Sequence, residues 1–182
     1  MDLTLIISLG ILLGCLISLS WFAGSDAPFI PTKTQRIRKI LKLAGIKKGE
    51  SFWELGSGDG RVVLEAAKMG AKALGIEQSW IRVLWSRWKA RSLKNAHFIH
   101  GDIFKQNFSS ADIVFIFLLP KGVGKLEPIL KKTLKKGAKV ITQTFHFKTL
   151  KPYKKVLITE KTSPNKLLGT NQYEGDFWIY HL

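Results

Sequence analysis

The stretch Glu54-Leu55-Gly56-Ser57-Gly58-Asp59-Gly60-Arg61 decides the fold of this chain. An apolar run typical of a β-strand precedes it, and a run typical of a helix follows it. Its glycines allow a tight turn and let the backbone approach a ligand without a side-chain clash. Their spacing is G-x-G-x-G, one residue short of the G-x-G-x-x-G of dinucleotide sites. The stretch predicts a strand, a glycine loop and a helix, with a ligand bound at the loop.

Glu54 indicates which ligand that is. A carboxylate two positions before the first glycine would repel a pyrophosphate at close range. It would attract a ligand that carries an amine and a sulfonium, which favours S-adenosylmethionine (AdoMet) over NAD. An ordinary glycine turn at the end of a strand is the alternative.

Two further carboxylates follow later strand-like runs. Glu77 ends the run 71–76, at the distance where an acidic residue binds ribose hydroxyls in βαβ nucleotide sites. Asp102 follows the run 96–100, where it can accept a hydrogen bond from the adenine amine while Ile103 packs on the ring. Open α/β sheets bind ligands at the carboxyl ends of their strands, so the acidic residues at these strand ends predict one AdoMet site.

Composition and charge limit the possible classes of protein. The 182 residues suit one domain with a short extension, and 46% hydrophobic residues are enough for a core. The net charge of +16 suggests an anionic partner such as a membrane surface, a nucleic acid or an acidic protein. One cysteine excludes an internal disulfide and a cysteine-based metal cluster, and the four histidines lack metal-ligand spacing. We therefore expect no metal site.

The amino terminus has the pattern of a membrane anchor. Leu3 to Ala23 is 21 residues without a formal charge, long enough to cross a hydrocarbon core, and it ends in Trp21-Phe22. Basic residues follow the run and none precedes it, which predicts a single-pass protein with its domain on the cytoplasmic side. A cleaved signal peptide is the alternative, but the basic n-region and a small-x-small cleavage site are missing.

The predicted organisation is an anchor at 1–24, a connector and basic helix at 25–50, and a catalytic domain at 51–182. Thr32 is expected to cap the basic helix. In the helix predicted for Ser79 to Leu93, apolar residues at helical spacing predict the core face. Those residues are Ile81, Leu84, Trp85 and Trp88, with Arg82, Arg87, Lys89 and Arg91 on the solvent side.

The remaining pattern predicts a three-layer α/β fold. The apolar run Asp112 to Phe117 reads as a strand covered on both faces, and a lysine-rich helix and a fifth strand follow it. A sixth strand is expected at 156–159, and Phe177 to Tyr180 as a last strand inserted antiparallel.

The chain resembles class I AdoMet-dependent methyltransferases. More narrowly, it resembles the membrane-anchored lysine methyltransferases that modify the adenine nucleotide translocase and the c-ring protein of ATP synthase. The resemblance is carried by Ala27 to Thr32, Glu54 to Ala67, Gly75 to Glu77, Ser86-Arg87, Gly101-Asp102 and Phe117 to Pro120.

The resemblance implies a Rossmann-like, mostly parallel sheet with an antiparallel last strand, preceded by one transmembrane helix. It also implies methyl transfer from AdoMet to a protein lysine near an anionic membrane surface. The expected cofactor-binding residues are Thr32, Glu54, Gly56, Ser57, Gly58, Gly60, Glu77, Asp102 and Ile103.

Methyl transfer is an in-line displacement that depends mainly on holding the acceptor nitrogen close to the methyl carbon. Phe117, Leu118 and Pro120 are the residues expected to position the acceptor, and Asp59 is the acid–base candidate. An Asp that opens a helix can instead be a cap. An RNA methyltransferase, favoured by the positive charge, and a non-catalytic AdoMet-binding membrane protein are the alternatives. Nucleic acid is therefore not the expected partner, but it is left open.

Overall fold

The core of the fold is a seven-stranded mixed sheet. A computed structural model of the chain describes residues 2–22, 30–157 and 175–182, with the side chains of the first segment described as far as Ile17. The strand order is β3-β2-β1-β4-β5-β7-β6. The strands are β1 Ser51–Leu55, β2 Lys72–Glu77, β3 Ala96–His100, β4 Ile113–Ile116, β5 Lys139–Gln143, β6 Lys154–Val156 and β7 Phe177–His181.

Strands β1 to β5 run parallel, and β7 pairs antiparallel with both β5 and β6. The predicted Rossmann-like sheet with an antiparallel last strand is therefore confirmed. The sixth strand is shorter than expected and begins earlier, at Lys154, while residues 158 and 159 of the predicted strand lie outside the described part of the chain.

Helices cover both faces of the sheet. They are α1 Leu3–Phe22, α2 Thr34–Leu43, α3 Arg61–Lys68, α4 Trp80–Lys89 and α5 Pro120–Thr133, with a 3₁₀ turn at Ile103–Lys105. Apolar residues of α2, α3 and α4 share one core cluster with the sheet, and those of α5 lie in a second cluster. Strand β4 is buried at every position between them, as its apolar run predicted. Its carboxyl end and those of β1, β2 and β5 therefore meet at one edge of the molecule.

The predicted orientation of α4 is wrong. Its buried positions are Arg82, Val83 and Ser86, and the apolar stripe expected to face the core points outward. Small side chains fit where α4 lies close to the sheet: the Ser86 hydroxyl donates to the carbonyl of Gly58 over 3.3 Å. Arg82 is buried because it pairs with Glu77 across 3.6 Å, so a charge that the sequence placed in solvent lies inside.

The amino-terminal helix α1 lies beside α4 and exposes its apolar side chains. Among the residues described with their side chains, which in α1 end at Ile17, we find no helix both long and apolar enough to cross a membrane.

Candidate active site

The glycine loop turns the chain sharply from β1 into α3. The backbone amides of Gly56 and Ser57 both donate to the carbonyl of Ile76 over 2.9 Å, which fastens the loop to the end of β2. Gly56 has φ +79°, in the left-handed region that side chains other than glycine rarely adopt. A Cβ at Gly56 would also lie 3.3 Å from the Leu118 side chain. Glycine is therefore required here both by backbone conformation and by space.

A cleft opens above this loop, and we call it the loop cleft. It is bounded by the connector before α2, by the ends of β1, β2, β4 and β5, and by the first turn of α4. The lining residues are Ile30, Pro31, Thr32, Glu54, Gly56, Ser57, Gly58, Asp59, Arg61, Val62, Glu77, Arg82, Phe115, Phe117, Leu118, Leu119, Thr144 and Phe145.

Glu54 is the buried carboxyl group of the loop cleft. Its Oε2 accepts a hydrogen bond of 3.2 Å from the backbone amide of Val63. Burial raises its pKa well above the ordinary value, and the nearby charges of Asp59 and Glu77 raise the pKa further, against the Val63 bond and the charge of Arg61. A cation bound in the cleft would favour the ionised form, so this carboxyl suits a positively charged ligand.

Glu77 holds the loop from the neighbouring strand. Its Oε2 accepts from the amide of Gly58 over 2.8 Å, and its Oε1 accepts from the amide of Ser79 over 2.9 Å. A carboxylate has about four lone-pair sites, so two remain for ligand hydroxyls. Glu77 thus serves the backbone of the loop in addition to the ribose-binding role that the sequence suggested.

A second cleft adjoins the first, and we call it the Asp102 cleft. It shares Glu77, Leu118 and Leu119 with the loop cleft. Its further lining residues are Gln78, Gly101, Asp102, Ile103, Phe104, Lys121, Gly122 and Lys125. The Oδ1 of Asp102 accepts from the amide of Phe104 over 2.9 Å, which fixes the side chain beside the apolar Ile103 and Phe104. A carboxylate beside apolar side chains suits a flat ring with an exocyclic amine.

Two predicted residues line neither cleft. Gly60 has φ +78° and precedes α3, where an added Cβ would lie 2.6 Å from the Phe98 ring. Its role is therefore close packing of the loop on the sheet. Pro120 is the first residue of α5 and borders a separate surface groove, so Phe117 and Leu118 lie at the loop cleft without it.

Asp59 lies in an ion pair. Its two carboxylate oxygens each accept from the Arg61 guanidinium over 2.9 Å, and Lys89 Nζ lies 3.2 Å from Oδ2. Burial opposes ionisation, but the hydrogen bonds and charges of Arg61 and Lys89 outweigh it and hold the Asp59 pKa below its usual value. A carboxylate that is fully ionised and paired is a poor general base. These contacts favour a structural role for Asp59 over the acid–base role that the sequence suggested.

The connector closes one side of the loop cleft through Thr32. The buried Thr32 hydroxyl donates to Oε1 of Gln143 over 2.9 Å, and the Thr32 carbonyl accepts from Nη1 of Arg61 over 3.1 Å. The prediction that Thr32 caps the following helix is wrong, because α2 begins at Thr34 with Lys33 in the cap position. The bond to Gln143 takes Thr32 to the sheet instead.

Sequence reasoning missed Arg61, Gln143, Thr144 and Phe145. Gln143 ends β5 and the next two residues line the cleft, so the rule that ligands bind at strand ends could have found them. Thr144 has φ +67°, and its amide donates to the carbonyl of Asp176 over 2.8 Å. A left-handed residue other than glycine beside a cleft is a frequent feature of functional sites.

The two clefts fit the chemistry of AdoMet. Glu54 offers a buried carboxyl to a cationic amino acid group, and the Asp102 cleft offers an apolar wall with an acceptor to a purine. Ser57 lines the loop cleft with a buried hydroxyl that has no hydrogen-bond partner among the described residues. Buried polar groups are normally paired, so this hydroxyl is available to a ligand.

Known proteins share this arrangement. The model of a family described as the ANTKMT methyltransferase domain matches residues 54–154. A human lysine N-methyltransferase, named for the C-type subunits of ATP synthase, is 37% identical over 123 residues, which are 66% of this chain and 52% of that protein. A protein-lysine N-methyltransferase of Saccharolobus islandicus (strain REY15A) is 32% identical over 143 residues, which are 76% of this chain and 88% of that protein. The chain spans about half the length of the human relative.

A solved structure shows the same fold with the product of the methyl donor bound. The RNA methyltransferase from Salinibacter ruber in complex with S-adenosylhomocysteine has a TM-score of 0.69 and 30% sequence identity. The match covers 84% of this chain and 93% of that one. With the matched segment beginning at Glu54 and running through both clefts, the chain belongs to the ANTKMT methyltransferase domain family, whose members are class I methyltransferases with S-adenosylmethionine as the methyl donor.

Proposed function

We propose that this protein is an AdoMet-dependent protein-lysine N-methyltransferase that acts at a membrane. When bound, AdoMet supplies an electrophilic methyl group. Glu54, Gly56, Ser57, Gly58 and Glu77 would hold its amino acid and ribose parts. Asp102 and Ile103 would hold the adenine. The names of the relatives in human and Saccharolobus islandicus support a protein lysine as the acceptor.

The observation that carries the proposal is the composition of the loop cleft. Its aromatic walls are Phe115, Phe117 and Phe145, and its carboxyl groups are already engaged. Glu54 faces the cofactor's charge, Asp59 is paired with Arg61, and Glu77 is bonded to the loop. A lysine amine that enters meets apolar surface in place of a free carboxylate.

An apolar entrance helps a lysine acceptor to react. The amine must lose a proton before it can attack, and its reference pKa is about 10.4. Burial among aromatic rings, together with a nearby positive charge, disfavours the ammonium form and lowers its pKa. The chain therefore needs to orient the amine and exclude water, and Phe117 and Leu118 at the end of β4 are placed to do so.

Action at a membrane is supported by the amino terminus. The 21 uncharged residues from Leu3 to Ala23 would anchor the chain, and the basic residues after them would place the domain on the cytoplasmic side. The exposed, apolar surface of α1 has few alternatives to lipid. The expected acceptor is then a lysine of a membrane protein near the bilayer, beside an anionic surface.

An RNA methyltransferase is the second candidate. The name of the Salinibacter ruber protein and the net charge of +16 favour it. Basic residues near an anionic leaflet each gain about 1 kcal/mol, so a membrane explains the same charge.

One labelling experiment separates the two candidates. Membranes and total RNA from cells that lack the gene are incubated with the full chain and tritiated AdoMet, and the products are treated with protease or RNase. Label that protease removes, and that amino acid analysis identifies as methyl-lysine, supports the proposal. Label that RNase removes supports the second candidate. E54Q should lose the label, while E50Q, which changes an acid outside both clefts, should keep it.

A further inference from the structure

The outer face of α4 is apolar and unusually exposed. The exposed fractions are 56% for Trp80, 58% for Leu84, 45% for Trp85 and 55% for Trp88, even with α1 beside the helix. Four large apolar side chains on one helix face form a contiguous patch, and such patches on soluble domains mark interaction surfaces.

Ring contacts hold this face in a fixed shape. The ring of Trp80 stacks on His100 at 4.1 Å, and Trp85 stacks on Trp88 at 5.1 Å between centroids. The guanidinium of Arg91 lies 4.6 Å from the centre of the Trp88 ring. The patch is thus a rigid set of indoles with a cation at its edge.

Its chemistry suits the boundary between lipid and water. Tryptophan concentrates at that boundary because its ring is apolar and its N–H can still reach water. No acidic residue occurs between Glu77 and Asp102, while Arg87, Lys89, Arg91 and Lys94 occur there. Cations around an apolar patch are attracted by anionic headgroups.

We propose that the outer face of α4, formed by Trp80, Leu84, Trp85 and Trp88, rests in the interfacial layer of an anionic lipid bilayer. The proposal deepens the proposed function and rests on it for action at a membrane. A second copy of the chain is a worse occupant, because two copies would bring their basic residues together without carboxylates between them. The apolar α1 beside α4 makes one continuous surface for lipid.

The same placement turns the clefts toward the bilayer edge. Trp80 is the first residue of α4 and follows Gln78 of the Asp102 cleft by two positions. His100, its stacking partner, ends β3 at the carboxyl edge of the sheet. A bilayer at Trp80 would therefore lie beside the substrate side of the domain.

Fluorescence quenching by lipid tests the proposal on the full chain. The protein is reconstituted into vesicles of phosphatidylglycerol and phosphatidylcholine, with bromine atoms near the top of the phosphatidylcholine acyl chains. Trp21 is replaced by phenylalanine throughout, so that the amino-terminal helix does not contribute. We expect quenching in this background, most of it lost in W85F/W88F and retained in W178F, whose indole lies on β7.

Function gives a second readout. L84E/W85E should lower methylation of the native membrane acceptor at least about tenfold by misplacing the domain, while AdoMet affinity stays unchanged. Quenching does not depend on methyl transfer, so failure of the proposed function would leave it intact. Equal quenching in W85F/W88F and its parent would overturn the proposal. So would a dimer in detergent that W85F/W88F abolishes, since that result assigns the face to a second copy.

Discussion

The backbone amide of Gly58 donates to Oε2 of Glu77 over 2.8 Å, so the glycine loop after β1 is held by the acid that ends β2. Glu77 also accepts from Ser79 at the start of α4. One buried carboxylate therefore sets the position of the loop and of the neighbouring helix before any ligand arrives. Such preorganisation lowers the free energy that binding must spend on ordering the site.

We expect E77A to lose both AdoMet binding and stability. Two buried amides and Arg82 would lose their partner, and each unsatisfied buried donor costs about 1–3 kcal/mol. Calorimetry should show AdoMet affinity lowered at least about 100-fold, since about 2.7 kcal/mol corresponds to that factor. Thermal unfolding should show a lower Tm. E50Q is the control, and a normal affinity in E77A would contradict the assigned role.

Glu54 should weaken the ligand-free protein while it strengthens cofactor binding. Its pKa is raised in the folded state, so the folded state keeps the proton after the unfolded state has lost it. The free energy of unfolding then falls as pH rises from the ordinary value of 4.5 to the raised folded value. E54Q removes this loss, and we expect it to have a higher Tm than the wild type at neutral pH.

The same substitution should reduce AdoMet affinity and its dependence on pH. In the wild type, affinity should increase with pH above 4.5 as Glu54 ionises beside the bound cation. In E54Q that increase should vanish. Calorimetry across this pH range measures both effects, and an E54Q protein that is less stable yet binds AdoMet normally would refute the assignment.

The loop tolerates no side chain at Gly56. G56V combines a β-branched residue with φ +79° and a close approach to Leu118, so AdoMet binding should be lost. G124A is a matched control, because Gly124 lies on an exposed part of α5 with nothing within 4 Å of an added Cβ. Calorimetry on both proteins checks the prediction, and tighter binding of NAD than of AdoMet by the wild type would contradict the family.

The connector bond should control how long AdoMet stays bound. T32V removes the hydroxyl that donates to Gln143, a bond worth about 1 kcal/mol, so the dissociation rate should increase about fivefold. T32S keeps the hydroxyl and should dissociate like the wild type. Stopped-flow displacement of AdoMet measures the rates, and equal rates in T32V and T32S would exclude the connector as a closing element.

The membrane anchor predicts a fractionation pattern. Carbonate washing should leave the full chain in the membrane pellet, and protease outside intact cells should spare the domain. Release by carbonate would contradict the anchor, and digestion would contradict the orientation. Deletion of residues 1–24 should preserve AdoMet binding and reduce methylation of the membrane acceptor.

The site was predictable where its residues obey local rules. Gly56 and Gly58 follow a strand, and Glu77 and Asp102 end the next two, so alternation of strands and helices was enough to bring them together. Thr144 and Phe145 obey the same rule at the end of β5 but carry no charge or glycine pattern that marks them. The role of Thr32 depends on Gln143, 111 residues away, and no local pattern contains that contact.

The error in α4 has a different cause. Helical spacing identifies which residues share a face, but it does not say which face meets the sheet. The rule that the apolar face points inward assumes water on the other side. Arg82 is turned inward by Glu77, and the small Ser86 allows close approach at Gly58. These contacts decide the orientation against the hydrophobic pattern.

The connector has a consequence for how the enzyme would meet its acceptor. Ile30 and Pro31 wall the loop cleft, and Ile30 follows the last residue of α1 by only eight positions. Eight residues span at most about 28 Å, so the cleft stays within that leash of α1. If α1 is held in a bilayer, acceptors in the same bilayer are present at an effective concentration in the millimolar range for such short tethers, whatever their abundance in the cell. Turnover would then be set by lateral diffusion in two dimensions rather than by encounters in bulk water.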